Sequence, residues 1–195
     1  MREVESWISI GRPDYLGGSN AAGPPLAEKS SLMRRLIIPG ILCLAYVAQS
    51  IWFIRAQSLT YDEPQHICAG LEALHDGEFK SRDDHPPLGR MLYALPMLST
   101  DWKCIDAVND SNAQPERPDP ETWALRARPM ALLLGLATAL LLWTGARRMF
   151  SEGAANFVLG LFAFLPQFLA HFSLATTDAP GTLMILAFVV QWARW

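Results

Sequence analysis

Tyr61-Asp62-Glu63 stands just beyond an apolar run that ends at Ile54, and His85-Pro86-Pro87-Leu88-Gly89-Arg90 follows on the same stretch of chain. Carboxylates beside a hydrophobic segment are costly to hold close to hydrocarbon, so their placement there calls for a functional explanation. A carboxylate within reach of a hydroxyl can take its proton as a general base. If the bond being broken releases a phosphate, that group departs without a proton. One carboxylate is then enough, whereas glycoside hydrolysis needs a second as acid. Charge growing on the departing phosphate calls for a guanidinium or a metal beside it. Asp62 or Glu63 fits the base, and Arg128, where the second apolar run opens, fits the cation.

These residues need elements to hold them. The 195-residue chain is 51% hydrophobic with a mean hydropathy of +0.15, too apolar for an ordinary soluble domain and too polar for membrane spans alone. Bilayers require runs of about 20 apolar residues. The sequence offers four, over 36–54, 129–146, 154–174 and 179–195, so an all-α membrane protein with about four spans is expected. The fourth run is still apolar at Trp195, which reads as the front of a longer protein. Residues 1–30, rich in glycine and proline, form an expected mobile cytoplasmic leader. Residues 31–195 form the membrane domain. No small-residue cleavage site follows the first span, so it reads as an anchor and not as a removable signal.

Lys29, Arg34, Arg35, Arg147, Arg148 and Arg194 flank the spans on one side, against Arg55, Arg126 and Arg128 on the other. The positive-inside rule makes the first side cytoplasmic, with the N-terminus, and the loop 55–128 extracytoplasmic. Trp52, Trp123, Trp143, Trp192 and Trp195 fall at the expected membrane boundaries. Within the loop, Ile67, Gly70, Leu71 and Leu74 recur at helical spacing, as do Leu88, Met91, Leu92, Leu95 and Leu98. Two amphipathic helices lying on the membrane surface are predicted, joined by a turn over 77–87. Residues 106–120, rich in Asn, Asp and Pro, read as an exposed excursion. With alternating spans, Asp62, Glu63, His85, Arg128 and Asp178 all belong to one membrane face, as a shared site requires.

The combination of Asp62-Glu63, His85-Pro86-Pro87-Leu88-Gly89 before a helix ending in Ala94-Leu95-Pro96, Arg128-Pro129, Arg147-Arg148-Met149-Phe150 and Thr177-Asp178-Ala179 resembles the N-terminal part of the protein O-mannosyltransferase superfamily. That superfamily of polytopic glycosyltransferases includes the lipid A aminoarabinose transferases. The similarity runs from about Leu36 to Trp195. It implies a GT-C type helix bundle that moves a sugar, mannose or another hexose or pentose, from a polyprenyl phosphate to a protein or glycolipid hydroxyl at the extracytoplasmic face. By matching motif, Asp62 is the implied base and Glu63 its neighbour in acceptor or metal binding. Asp178 is a second acidic residue facing the site, and His85 and Arg128 match positions near the lipid phosphate or supporting the loop. Arg90 stands where such proteins often carry lysine, and the implied donor pocket extends into spans beyond this chain.

Other uses of the same residues stay open. Asp62 and Glu63 also suit the start of a helix, Asp178 or a neighbouring threonine could cap the fourth span, and Arg128 could snorkel to the interface. Asp83, Asp84 and His85 with Asp62 or Glu63 offer oxygen and nitrogen ligands for a divalent metal. Pro166, Gln167 and His171 interrupt the third run, where the polar pair is expected to pack between helices. Cys68 and Cys104 share the outer loop, either as a disulfide or as two thiols. A non-catalytic subunit, a transporter piece or an inactive remnant is the competing class. A transporter places its ionisable groups near the bilayer midplane, whereas these gather at one surface. Expected partners are the lipid-linked donor, the acceptor and the bilayer, with no nucleic acid.

Overall fold

The computed structural model of the chain describes residues 26–77, 79, 85–99 and 120–193. The leader as far as Pro25, Asp83, Asp84, Cys104, Arg194, Trp195 and nearly all of the 106–120 excursion lie outside the described residues. Residues 36–195 form one compact unit. The regular elements among the described residues are helices: α1 (Leu26–Ala56), α2 (Glu63–His75), α3 (Pro87–Ala94) with a 3-10 turn Leu95–Met97, α4 (Pro120–Met149), α5 (Glu152–Phe164), α6 (Pro166–His171) and α7 (Asp178–Trp192).

Two stretches are long and apolar enough to cross a bilayer, Arg35–Ala56 and Leu125–Met149. At 22 and 25 residues they reach about 33 and 37 Å, against a hydrocarbon core of about 30 Å. Their outward surfaces are apolar: Ile37, Ile41, Leu44 and Trp52 on α1 and Leu133 and Leu140 on α4 are all exposed. So large an apolar exterior suits lipid and not water.

The expected continuous helix over 154–174 is instead two. Leu165 sits in the extended region at φ −74 and ψ 122, between α5 and α6. The cause is Pro166, whose ring drives the preceding residue out of the helical region while itself suiting the first position of the next helix. The break leaves carbonyls at the end of α5 without helical partners. Gln49 of α1 meets one of them, donating from Nε2 to the Ala163 carbonyl at 3.2 Å. Aromatic side chains fill the space around the break, with Tyr46, Phe168 and Phe172 all packed on Phe162. Helices α5 and α7, at 13 and 15 residues, are shorter than a straight span.

Two short helices form within the loop, and they bury different kinds of residue. Ile67, Gly70 and Leu71 of α2 are buried, whereas α3 buries Gly89, Arg90, Tyr93 and Ala94 and exposes Leu88. Leu95 and Leu98 are exposed as well. Backbone proximity decides this. A Cβ at Gly70 would collide with the Arg90 carbonyl, and one at Gly89 with the ring of Pro180 on α7. Small residues set the close contacts, and the leucines are left facing outward. Gly77, at φ 65, ends α2 in the left-handed conformation that glycine adopts without strain.

Trp143 is no exposed boundary anchor. It is buried between α4 and α5, with its indole N–H donated to Asn156 Oδ1 at 2.9 Å. Trp52 and Trp192 are exposed.

Candidate functional site

Four pieces of backbone meet around one carboxylate. Glu63 opens α2, Arg128 lies one turn into the apolar part of α4, residues 54–60 lead out of α1, and the turn 172–177 joins α6 to α7. Arg128 donates from Nε to Glu63 Oε1 at 2.9 Å and from Nη2 to Glu63 Oε2 at 2.8 Å. Its remaining N–H groups go to carbonyls at the end of α1: Ile54 at 3.0 Å, Gln57 at 2.8 Å and Ser58 at 2.7 Å. A guanidinium has five N–H donors, and all five are used.

Glu63 is equally committed. Oε2 also accepts from the Thr60 backbone N–H and hydroxyl, each at 2.9 Å, and Oε1 accepts from the Ala175 N–H at 2.9 Å. Both side chains are 0% exposed. Burial alone pushes the Glu63 carboxyl up, but the Arg128 hydrogen bonds, the Ala175 and Thr60 N–H groups and the Arg128 charge together hold it below the usual carboxylate range. This carboxylate is ionised and saturated. It has no lone pair left for a metal or an acceptor, and Arg128 has no donor left for a phosphate. The sequence offered Glu63 for substrate or metal contact or as a helix-start charge, and Arg128 for the phosphate, for support of the loop or as an interface anchor; in the structure each partners the other.

Asp62, one residue earlier, has the opposite surroundings. It occupies the N-cap position of α2, yet its side chain makes no capping hydrogen bond. Its carboxylate is half-exposed, 3.8 Å from Nε2 of the buried His66 one turn on. The His66 ring in turn lies 5.3 Å, centroid to centroid, from His85. His66 escaped the sequence reading, although its i,i+4 spacing from Asp62 on a predicted helix was the available signal.

Asp178 stands in the first turn of α7, where a negative charge suits the helix dipole, and the N-cap Thr177 makes no side-chain capping bond. Its carboxylate meets His171 Nδ1 at 2.7 Å, and His171 Nε2 meets the Gln167 amide nitrogen at 2.7 Å. Gln167 is exposed and His171 half-buried, so the pair does not pack between helices as expected. Tyr93 of α3 is fully buried, and its hydroxyl is pushed up by burial and by the negative charges of Asp178 and Glu63. That hydroxyl has no hydrogen-bond partner among the described residues.

The expected site residues therefore fall into three groups: a buried Glu63–Arg128 pair, an accessible Asp62 with His66 and His85, and an accessible Asp178 with His171. The Ala175-to-Glu63 bond ties the turn before Asp178 to the residue after Asp62. No group of three or more His, Cys, Asp or Glu among the described residues is placed to hold a metal ion.

Residues 77–195, more than half of the chain, match the family model of dolichyl-phosphate-mannose-protein mannosyltransferases. The chain belongs to this family. No curated protein and no solved structure matches it. Membership makes the protein a glycosyltransferase by class and a membrane protein by family, in keeping with its two membrane-length helices. The matched segment covers His85, Arg128 and Asp178 and begins after Asp62 and Glu63. For this mannosyltransferase-like chain, then, the link from the matched part to the acidic pair is physical: Arg128 and Ala175, inside it, hold Glu63, outside it.

Proposed function

We infer that the protein transfers a sugar from a polyprenyl phosphate to a hydroxyl of a protein or glycolipid at the extracytoplasmic face of a membrane, with Asp62 as general base. The observation that supports this best is the contrast at the start of α2. Glu63 is buried and saturated, which anchors the backbone, and the adjacent Asp62 is left half-exposed with its carboxylate uncommitted to a cap. A base must be fixed in position yet open to its substrate. His66 beside it restricts where the carboxylate can swing.

Glu63 and Arg128 take the positioning role in this reading. Contact with the lipid phosphate passes to cations elsewhere, with His85 the exposed candidate among the residues first singled out. Asp178 faces the same region through the shared turn. Four spans, with the N-terminus cytoplasmic, remain the topology that puts Asp62, His85 and Asp178 on one face, with α5–α6 and α7 as the third and fourth. Cys68 of α2 is disulfide-bonded, while Cys43 of α1 is free. Disulfides persist in oxidising compartments, which supports an extracytoplasmic place for α2.

The test is transfer of labelled mannose from dolichyl-phosphate mannose by membranes carrying the intact gene product, compared with Asp62→Asn. Loss of a general base lowers the rate by about 10²- to 10⁴-fold. Transfer at the wild-type rate by Asp62→Asn removes Asp62 from the mechanism.

A further inference from the structure

The proline break that splits the third apolar run also creates a polar face. Helix α6 has one turn and a half, so Gln167 and His171, four residues apart, stack on one side of it. The turn 172–177 then brings Asp178 back to the same imidazole. A neutral imidazole carries one N–H and one lone pair. The Gln167 amide N–H at Nε2 claims the lone pair there, which puts the proton on Nδ1 and directs it to Asp178 Oδ2. In an imidazolium both nitrogens donate, and the amide turns its oxygen to Nε2. In either state Nδ1 donates to Asp178, so the carboxylate is held throughout.

The turn leading to Asp178 is tied down by the Ala175 bond to Glu63, and the Asp178 side chain itself is held by His171. Only Oδ2 is used. Oδ1 accepts no hydrogen bond from the described residues, and 55% of the side chain is exposed. An ionised carboxylate is an acceptor only, so its free oxygen suits a group that donates. Of the parts of a lipid-linked sugar donor, the phosphate oxygens are anionic and repelled, whereas the sugar hydroxyls donate.

We propose that His171, braced by Gln167, positions Asp178 so that Oδ1 accepts a hydrogen bond from a hydroxyl of the donor's sugar. This rests on the polyprenyl-phosphate-sugar reading above and assigns Asp178 to the sugar rather than to the phosphate. Asp178 is the contacting residue, and His171 and Gln167 are positioning residues that select for a correctly placed hydroxyl.

The experiment uses the intact gene product in lipid nanodiscs. Donor KM and kcat are measured with dolichyl-phosphate mannose for wild type, His171→Ala and His171→Asn, alongside binding of dolichyl monophosphate, which lacks the sugar. Losing the hold on a charged acceptor raises donor KM about tenfold in His171→Ala with a smaller change in kcat, and His171→Asn, which can return an N–H near Nδ1, recovers to within about threefold of wild type. The sugar-free lipid binds all three proteins alike. Overturning results are an unchanged KM in His171→Ala, no recovery in His171→Asn, or a matching loss of affinity for dolichyl monophosphate. Wild-type protein that transfers no sugar defeats the donor reading and this inference together. Wild-type protein that transfers while ignoring His171 defeats this inference alone.

Discussion

Asp62 and Glu63 are neighbours of one charge and nearly one size, and the fold treats them as different kinds of residue. Glu63 turns inward at the first position of α2, into a pocket made by the end of α1, the start of α4 and the turn before α7. Asp62 remains half-exposed, with His66 Nε2 3.8 Å from its carboxylate. Once every lone pair of a carboxylate is taken, it can hold a structure together but has little left for chemistry. An accessible carboxylate with spare acceptor capacity stabilises little and can work on a substrate. A charge in this chain is thus informative through its partners and not through its sequence neighbourhood.

Removing Arg128 breaks that contrast most severely. Arg128→Ala leaves Glu63 buried without its cation and frees three carbonyls at the end of α1. Stripping one partner from a buried ion pair costs about 3–5 kcal/mol. The expected outcome is loss of folded protein in detergent, seen as a collapsed thermal transition and early aggregation. Arg128→Lys recovers little, because an ammonium cannot reproduce the two parallel bonds to Glu63 or reach all three carbonyls. By contrast, Asp62→Asn is expected to leave the thermal midpoint where it was while abolishing transfer. An Asp62→Asn protein that melts like Arg128→Ala would erase the distinction between the two carboxylates.

Acid sharpens the comparison by titrating the buried member. The folded protein holds the Glu63 carboxyl below its unfolded value, so the pairing contributes its full stability above the ordinary carboxylate range. That stability is lost as pH falls through the depressed folded value, beneath the ordinary carboxylate range. Glu63→Gln is expected to be less stable at neutral pH and to lose this acid dependence, with the wild-type and variant curves converging at low pH. Thermal midpoints measured from pH 7 down to pH 3 check this, and parallel curves for the two proteins would assign the acid sensitivity elsewhere.

Much of the architecture was legible because it rests on local rules. Length and hydropathy marked α1 and α4 as membrane helices, and helical spacing found α2 and α3. Partner choice was not legible, since it depends on contacts between residues far apart in the chain. Arg128 at the mouth of a span suits a phosphate ligand, a support for the loop or an interface anchor, and sequence alone does not choose among them. Its five acceptors come from residues 65 to 74 positions away, which no local pattern encodes. Which side of α3 meets protein was not legible for a related reason. Periodicity favours the leucines as the packed side, but in a membrane the lipid competes for them, and Gly89 and Ala94 win the protein contact by letting backbones approach. Pro166 was visible as an interruption, yet only the resulting turn reveals that Gln167 and His171 lead to Asp178.

The smallest expected effect lies at the other end of α4, where nothing resembles a site. Ser151 is the N-cap of α5, in an extended conformation, and its hydroxyl accepts the Ala154 N–H at 3.1 Å. Glu152 adds a negative charge to the first turn, complementing the helix dipole. Ser151→Ala removes one cap bond and costs about 1 kcal/mol. The thermal midpoint should fall slightly, with donor KM and kcat unchanged, because the Glu63 centre, Asp62 and the His171–Asp178 pair draw no bond from this segment. A substantial change in kcat without a comparable loss of stability would mean that the short α4–α5 connection transmits strain along α4 to Arg128. The structural and chemical roles drawn apart at the start of α2 would then be coupled through the length of that helix.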